Sequence, residues 1–448
     1  MTKIWKVLGC AGAGKTTYLL NKVEEYLADG VPPNEIGFVS FTNKAVNEAI
    51  TRALVKFPSL KKKDFLYFRT LHSLAFRAIG ASAEQIVTPG ILNTFGAQCG
   101  YRFNGSFSTT GYYSGITEDD KLLSVYIAGR EKGLSAADAY EQSDLQKYKS
   151  FFLDMAYRYE VFKQKNGYID FDDMITNAID KGVFPHFRLL ILDEAQDFSP
   201  IQWKLVDKLM ARADDVFLAG DDLQAIFSFK AADVDRFIQQ PAEEIKLEQS
   251  HRVPKAIQRV AYRYAEKKIV NKTNKVMKPR SASGKVSMCS DISQVDFKKW
   301  RSYFFLSRNA YHLSDWMHTL RMEGIPATFN GVANYSPQFK AKVKEILDSN
   351  CKNPVFESEA DWLFFNRAKE KGFLADVLEP RVVLSTIHGV KGGEADCVIL
   401  LTAMTKASKE ELEKAPDDYY RVLYTALTRA RQELFILDNA KKYKYDFI

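Results

Sequence analysis

The stretch Ile4–Thr17, IWKVLGCAGAGKTT, decides the fold class. An apolar run broken by one lysine leads into a glycine-rich turn, and apolar residues at helical spacing follow from Tyr18 to Leu27. Within it, Gly9-Cys10-Ala11-Gly12-Ala13-Gly14-Lys15-Thr16 fits G-x-x-x-x-G-K-[ST] at every fixed position. Gly9, Gly12 and Gly14 let backbone N–H groups close around phosphate oxygens, and the helix N-terminus adds a positive dipole end. Lys15 then reaches the β- and γ-phosphates, Thr16 ligates Mg²⁺ through its hydroxyl, and Thr17 completes the nucleotide-binding set.

Outward from the loop, strand and helix signals alternate. A strand is expected at Ile36–Ser40 after Pro32-Pro33-Asn34, with a helix from about Lys44 to Lys56. Near-continuous apolar runs at Leu189–Leu192 and Val216–Ala219 read as strands buried on both faces, so the sheet should be parallel with helices on each side. Residues from about 75 to 165 break this rhythm and read as a mostly helical insertion. The alternation resumes after Pro254, with a helix to about Lys268 and strands near Val286, Phe304, Val382, Cys397–Leu401 and Leu434–Leu437. A further helix is expected over Asp418–Ala426. The fold class is therefore α/β, with 1–75 and 161–254 as a first domain, 76–160 inserted in it, and 255–448 as a second.

The 448 residues, 46% apolar and 27% charged, exclude a disordered tail, a collagen and a disulfide-stapled mini-domain. No apolar run reaches the ~18 residues of a membrane span, and no signal peptide is expected. Five scattered cysteines form no C-x-x-C pair, which fits a reducing compartment and a cytoplasmic protein without a zinc or iron–sulfur site. The net charge is +7, while Ala256–Trp300 alone holds eleven Lys or Arg against three Asp or Glu. That stretch reads as a solvated surface slightly ahead of a nucleic-acid track.

Phosphate chemistry also needs a metal carboxylate and a base. Leu189–Leu192 ends in Asp193-Glu194, at the strand end where ligands sit in such sheets. Asp193 can hold Mg²⁺, and Glu194 can take a proton from attacking water.

The ordered set GCAGAGKTT, SFTNKAVNEAI, TLHSLAFR, YIDFDDM, LLILDEAQDFSPIQ, LAGDDLQAIFSFKAA, LEQSHRVP, STIHGVKGGEADCV and VLYTALTRAR resembles the superfamily 1 DNA helicases of the UvrD/Rep/PcrA type. The resemblance runs from about Gly9 to Arg431. It implies two RecA-like domains with ATP in the cleft between them. It implies that Gln224 senses the γ-phosphate, Gln196 couples, and Arg252 and Arg429 act as arginine fingers. Glu394 falls at the nucleotide ribose, Gly392 belongs to the nucleotide-binding set, and His251 stands where the family has a base-stacking tyrosine. By the same carry-over, Phe41, Thr42, Asn43, Thr70, His72, Phe227, Phe229, Lys230 and His388 contact DNA, an aromatic platform with phosphate donors.

The sequence departs from the family in places. Eight residues precede Gly9, leaving no room for the glutamine motif that reads adenine, so other nucleoside triphosphates are expected to be accepted. Phe227 replaces a tyrosine, Lys230 an arginine and Ala231 a glycine. Residues 331–380 are too few for the usual second accessory domain and read as a remnant. The expected activity is an ATP- and Mg²⁺-dependent 3′→5′ translocase and helicase on single-stranded or tailed duplex DNA, in replication or repair. The alternative is a DNA-dependent remodelling ATPase or machine subunit that does not unwind alone. Residue chemistry does not separate DNA from RNA; the resemblance favours DNA.

Overall fold

The computed structural model describes residues 2–40, 43–108, 111–145, 149–349, 355–356, 358–438, 440 and 443–445. The chain divides into two compact units, Met1–Gly9 with Gly14–Leu247, and Cys10–Ala13 with Glu248–Ile448.

The first unit is built on a six-stranded parallel sheet in the order Phe68–Thr70, Ile36–Ser40, Phe187–Leu192, Ala213–Gly220, Lys3–Gly9, Glu243–Leu247. Its central strands are apolar because both faces are covered. Leu189, Ile191 and Phe217 enter one hydrophobic cluster, while Leu190, Leu192 and Leu218 enter the other. This is the period-two alternation of a pleated strand. Gly37 is glycine because a Cβ there would lie 2.9 Å from the Leu190 side chain.

Between sheet strands, helices Pro89–Cys99, Glu118–Glu131, Ala136–Glu141 and Lys149–Asn166 gather around a separate aromatic core that includes Phe95, Tyr126, Phe152 and Tyr159. Helices Leu71–Ala78 and Lys149–Asn166 run through residues 75 and 160, where the insertion was expected to begin and end.

The second unit carries a seven-stranded sheet in the order Lys285–Cys289, Ala430–Leu437, Ala395–Leu401, Tyr303–Ser307, Val382–Thr386, Ala327–Phe329, Val332–Ala333, antiparallel only in the last pair. Helices Pro337–Ser349 and Glu359–Glu370 close over a small cluster of Tyr335, Phe339, Val343 and Phe364. The expected α/β class with parallel sheets is what the chain adopts. Within the two large sheets, four short strands among the described residues escaped the sequence reading, Phe68–Thr70, Glu243–Leu247, Ala327–Phe329 and Val332–Ala333. Each has five residues or fewer, and all but Val332–Ala333 mix polar with apolar side chains.

Candidate nucleotide site and nucleic-acid interface

The glycine-rich loop leaves the strand Lys3–Gly9 and turns into the helix Lys15–Ala28. Gly12 and Gly14 take φ of 70° and 77°, left-handed values that strain any residue with a Cβ. Gly14 is the N-cap and supplies no side-chain cap, so the first-turn N–H groups of Lys15, Thr16 and Thr17 receive no capping side chain from it. That is the arrangement of an anion site. Lys15 Nζ bends back to Gly9 O at 3.3 Å.

Asp193 follows the strand Phe187–Leu192, is 2% exposed, and donates its backbone N–H to Val39 O at 2.8 Å. Burial, and then the charge of Glu194, push its carboxyl up to about 7, against the pull of Lys15. Glu194 adopts φ 55° and accepts a 2.5 Å hydrogen bond from Gln196 Nε2. Gln196 Oε1 accepts from Asp221 N at 3.1 Å, and Asp221 Oδ2 accepts from Gln224 Nε2 at 2.5 Å. A continuous line of hydrogen bonds thus joins Glu194 to Gln224. Gly220 makes room for it, since a Cβ there would lie 2.6 Å from Gln196 Oε1. Asp221 was not singled out in the sequence. Its place beside Asp222 in GDDLQ was the available signal.

Gln224 begins the loop that carries the aromatic candidates. Phe229 is 42% exposed and packs edge-on to Phe227 at 6.0 Å. Tyr112 meets Phe229 edge-on at 5.6 Å. Tyr112 belongs to the glycine- and aromatic-rich patch 100–116, whose composition alone assigned no role. Ala231, where the family has glycine, takes the left-handed φ 61°.

The other expected interface residues are diverse. Asn43 is exposed at the start of the helix Asn43–Lys56. Thr70 caps the helix Leu71–Ala78 by accepting from Ser73 N. His72 is buried edge-on to Phe171, and desolvation lowers its pKa to about 4, so it is a neutral imidazole at neutral pH. His388 is half-buried, with Nδ1 3.4 Å from Arg308 Nη1. Phe41, Thr42 and the Lys230 side chain lie outside the described residues.

In the second unit the turn Cys10–Ala13 is pinned to the strand Gln249–Pro254. Ser250 Oγ donates to Ala11 O at 2.7 Å and accepts from Val253 N at 3.0 Å, and His251 N donates to Gly12 O at 2.8 Å. The His251 side chain is exposed. Arg252 Nε donates to Glu394 Oε2 at 2.6 Å. Gly392 turns the chain before Glu394 at φ 80°. Arg429 is buried, donating to Thr425 O at 3.0 Å and Gly393 O at 3.1 Å. The basic stretch spends much of its charge locally: Lys285 and Lys299 both pair with buried Glu433, and Lys278 with Glu248. No helix among the described residues is long and apolar enough to cross a membrane.

Residues 1–246 match the family model described as the UvrD/REP helicase N-terminal domain, and residues 381–437 match the UvrD-like helicase C-terminal domain. The chain is 26% identical over 394 residues to the ATP-dependent DNA helicase Rep of Buchnera aphidicola subsp. Schizaphis graminum, covering 76% of this chain and 56% of that relative. It is 24% identical over 263 residues to DNA helicase II of Haemophilus influenzae, covering 55% and 36%. The chain therefore spans about a third to a half of the length of the curated relatives it matches. Among solved structures, an arterivirus nonstructural protein 10 helicase aligns with 98% of this chain and 60% of its own, at a TM-score of 0.39 and 10% identity, a distant likeness.

Proposed function

The chain belongs to the UvrD/REP helicase family, and on that footing we propose that it is an ATP-driven 3′→5′ translocase and helicase on single-stranded DNA. The observation that carries this reading is the hydrogen-bonded line from Glu194 through Gln196 and Asp221 to Gln224, which opens the loop bearing Phe227 and Phe229. A phosphate hydrolase indifferent to DNA has no use for a rigid connection between its base and an exposed aromatic loop.

In the proposed cycle the turn and helix N-terminus hold the triphosphate, and Lys15 moves from Gly9 O to the phosphates. Glu194 accepts the proton of the attacking water as the γ-phosphorus–oxygen bond to ADP breaks. Gln196 orients the Glu194 carboxylate through its 2.5 Å bond. The Thr16 hydroxyl and the Asp193 carboxyl are hard oxygen donors that suit Mg²⁺, and the buried Asp193 is a group a bound cation would restore to its ionised form. Bound there, Mg²⁺ offsets charge on the phosphates. Arg252 and Arg429 are proposed to stabilise charge developing on the γ-phosphate. Bases would stack on Phe229, with Phe227 beneath it.

Strand displacement on duplexes with a 3′ or a 5′ tail tests the reading. Unwinding that requires ATP and a 3′ tail supports it, and unwinding from a 5′ tail alone refutes the polarity. The alternative is a DNA-dependent remodelling ATPase that does not unwind by itself. That second reading holds if DNA-stimulated hydrolysis is present and neither tail supports displacement.

A further inference from the structure

Three arginines and one carboxylate form a frame within the second unit. Arg252 occupies Glu394 Oε2 at 2.6 Å, and Arg431 Nη1 occupies Oε1 at 2.7 Å. Arg280 ties the two backbones together. Its Nε donates to Arg252 O at 2.9 Å, and Nη2 donates to Arg431 O and to Gln432 Oε1. The spacing of Arg252 and Arg431 is therefore held without Glu394. Arg252 also starts from the phosphate-binding turn, because a Cβ on Gly12 would lie 2.5 Å from Arg252 Cβ.

Glu394 is exposed. Partial desolvation works against its charge, yet the hydrogen bonds and charges of Arg252 and Arg431 hold it below the usual carboxylate range. A phosphate at the turn competes with this carboxylate for the Arg252 guanidinium. With Arg252 as its only cation, Glu394 would lose its ion pair when Arg252 moved, a modest cost for an exposed carboxylate that still opposes the move. Arg431 on the second oxygen removes that cost.

We propose that Arg431 is a positioning residue that holds Glu394, so that Arg252 can transfer from the carboxylate to a phosphate bound at the Cys10–Ala13 turn. The proposal rests on the nucleotide-site reading above. It gives this arginine, two residues past Arg429, a role in gating Arg252.

A double-mutant cycle over Arg431→Ala and Glu394→Gln tests it. Two quantities are read: kcat for ATP with Mg²⁺, and the ratio of Kd for ADP to Kd for a non-hydrolysable imido-triphosphate. In the parental background Arg431→Ala lowers kcat by about fivefold, the size of one half-exposed ion pair, and reduces the preference for triphosphate. Arg431→Lys retains most of both. In the Glu394→Gln background Arg431→Ala has no further effect, because no carboxylate charge remains to retain Arg252. A merely structural role would cost the same in both backgrounds. An equal loss in both, or no loss in the parental protein, overturns the proposal. A Lys15→Ala variant that hydrolyses ATP at the parental rate instead sinks the nucleotide-site reading, and this proposal with it.

Discussion

Glu194 holds a left-handed backbone at φ 55°, a conformation that costs a side-chain-bearing residue about 1–3 kcal/mol and persists where surroundings over-determine it. Here the surroundings are the Gln196 hydrogen bond and the buried Asp193 before it. Glu194→Gln keeps the shape and removes the basicity. It should lower ATP turnover by roughly 10²–10⁴-fold with nucleotide affinity retained, and DNA-stimulated hydrolysis near the parental rate would refute the assignment. Asp172 poses a different problem. It lies in the YIDFDDM motif, is 1% exposed, and neither carboxyl oxygen finds a hydrogen-bond partner among the described residues, while Arg130 stands 4.0 Å away. Burial first, and then the charges of Asp170 and Asp173, raise it to about 8 against the pull of Arg130 and Lys163. Between its unfolded value near 3.8 and about 8 the folded chain therefore binds the extra proton, so stability falls as pH rises through that window and levels off above it. Asp172→Asn should show a melting-temperature advantage that grows from pH 5 to pH 8. A gap independent of pH would show that Asp172 carries no raised pKa. The motif marked this residue as notable, but nothing in the sequence says that its oxygens would be orphaned.

At the level of strands and loops, Ser250 illustrates how one small side chain joins two segments far apart in the chain. It is fully buried and satisfies Ala11 O and Val253 N at once. Ser250→Ala leaves Ala11 O without that donor and should cost about 1–2 kcal/mol in urea unfolding, with weaker triphosphate binding. An unchanged affinity would separate the pin from the phosphate site. The aromatic loop makes its own prediction. Phe229→Ala should reduce DNA-stimulated turnover several-fold more than basal turnover, about the 1–3 kcal/mol of one lost base stack. Equal losses would mark Phe229 as a packing residue. Phe229 was legible because alternate spacing beside a lysine favours an exposed ring. Tyr112 was not, because its partner lies more than a hundred residues away and only folding brings the rings to 5.6 Å.

Across the whole molecule, the positive excess between Ala256 and Trp300 contains pairs that stay within the second unit. Lys285 and Lys299 neutralise Glu433, whose side chain is only 3% exposed. Replacing both with Gln should lower stability by stranding that carboxylate while leaving single-strand DNA affinity and its salt slope unchanged. A shallower salt slope would instead make the stretch part of a DNA track.

The phosphate loop, the central strands and the Asp193-Glu194 pair were all readable from the residues, because each is a contiguous segment whose backbone geometry follows from its own glycines or apolar run. Short strands such as Phe68–Thr70 were not, since pairing with Ile36–Ser40 decides them. The same holds for the line from Glu194 to Gln224, the burial that keeps His72 neutral, and the meeting of Arg252, Glu394 and Arg431. Glu394 adjoins the strand Ala395–Leu401, and Arg431 lies on Ala430–Leu437. The parallel register that sets Ala395 opposite Ala430 brings them to one carboxylate. Hydrogen bonds between side chains distant in sequence depend on which strands pair and in what register, and that is settled by the packing of the whole sheet.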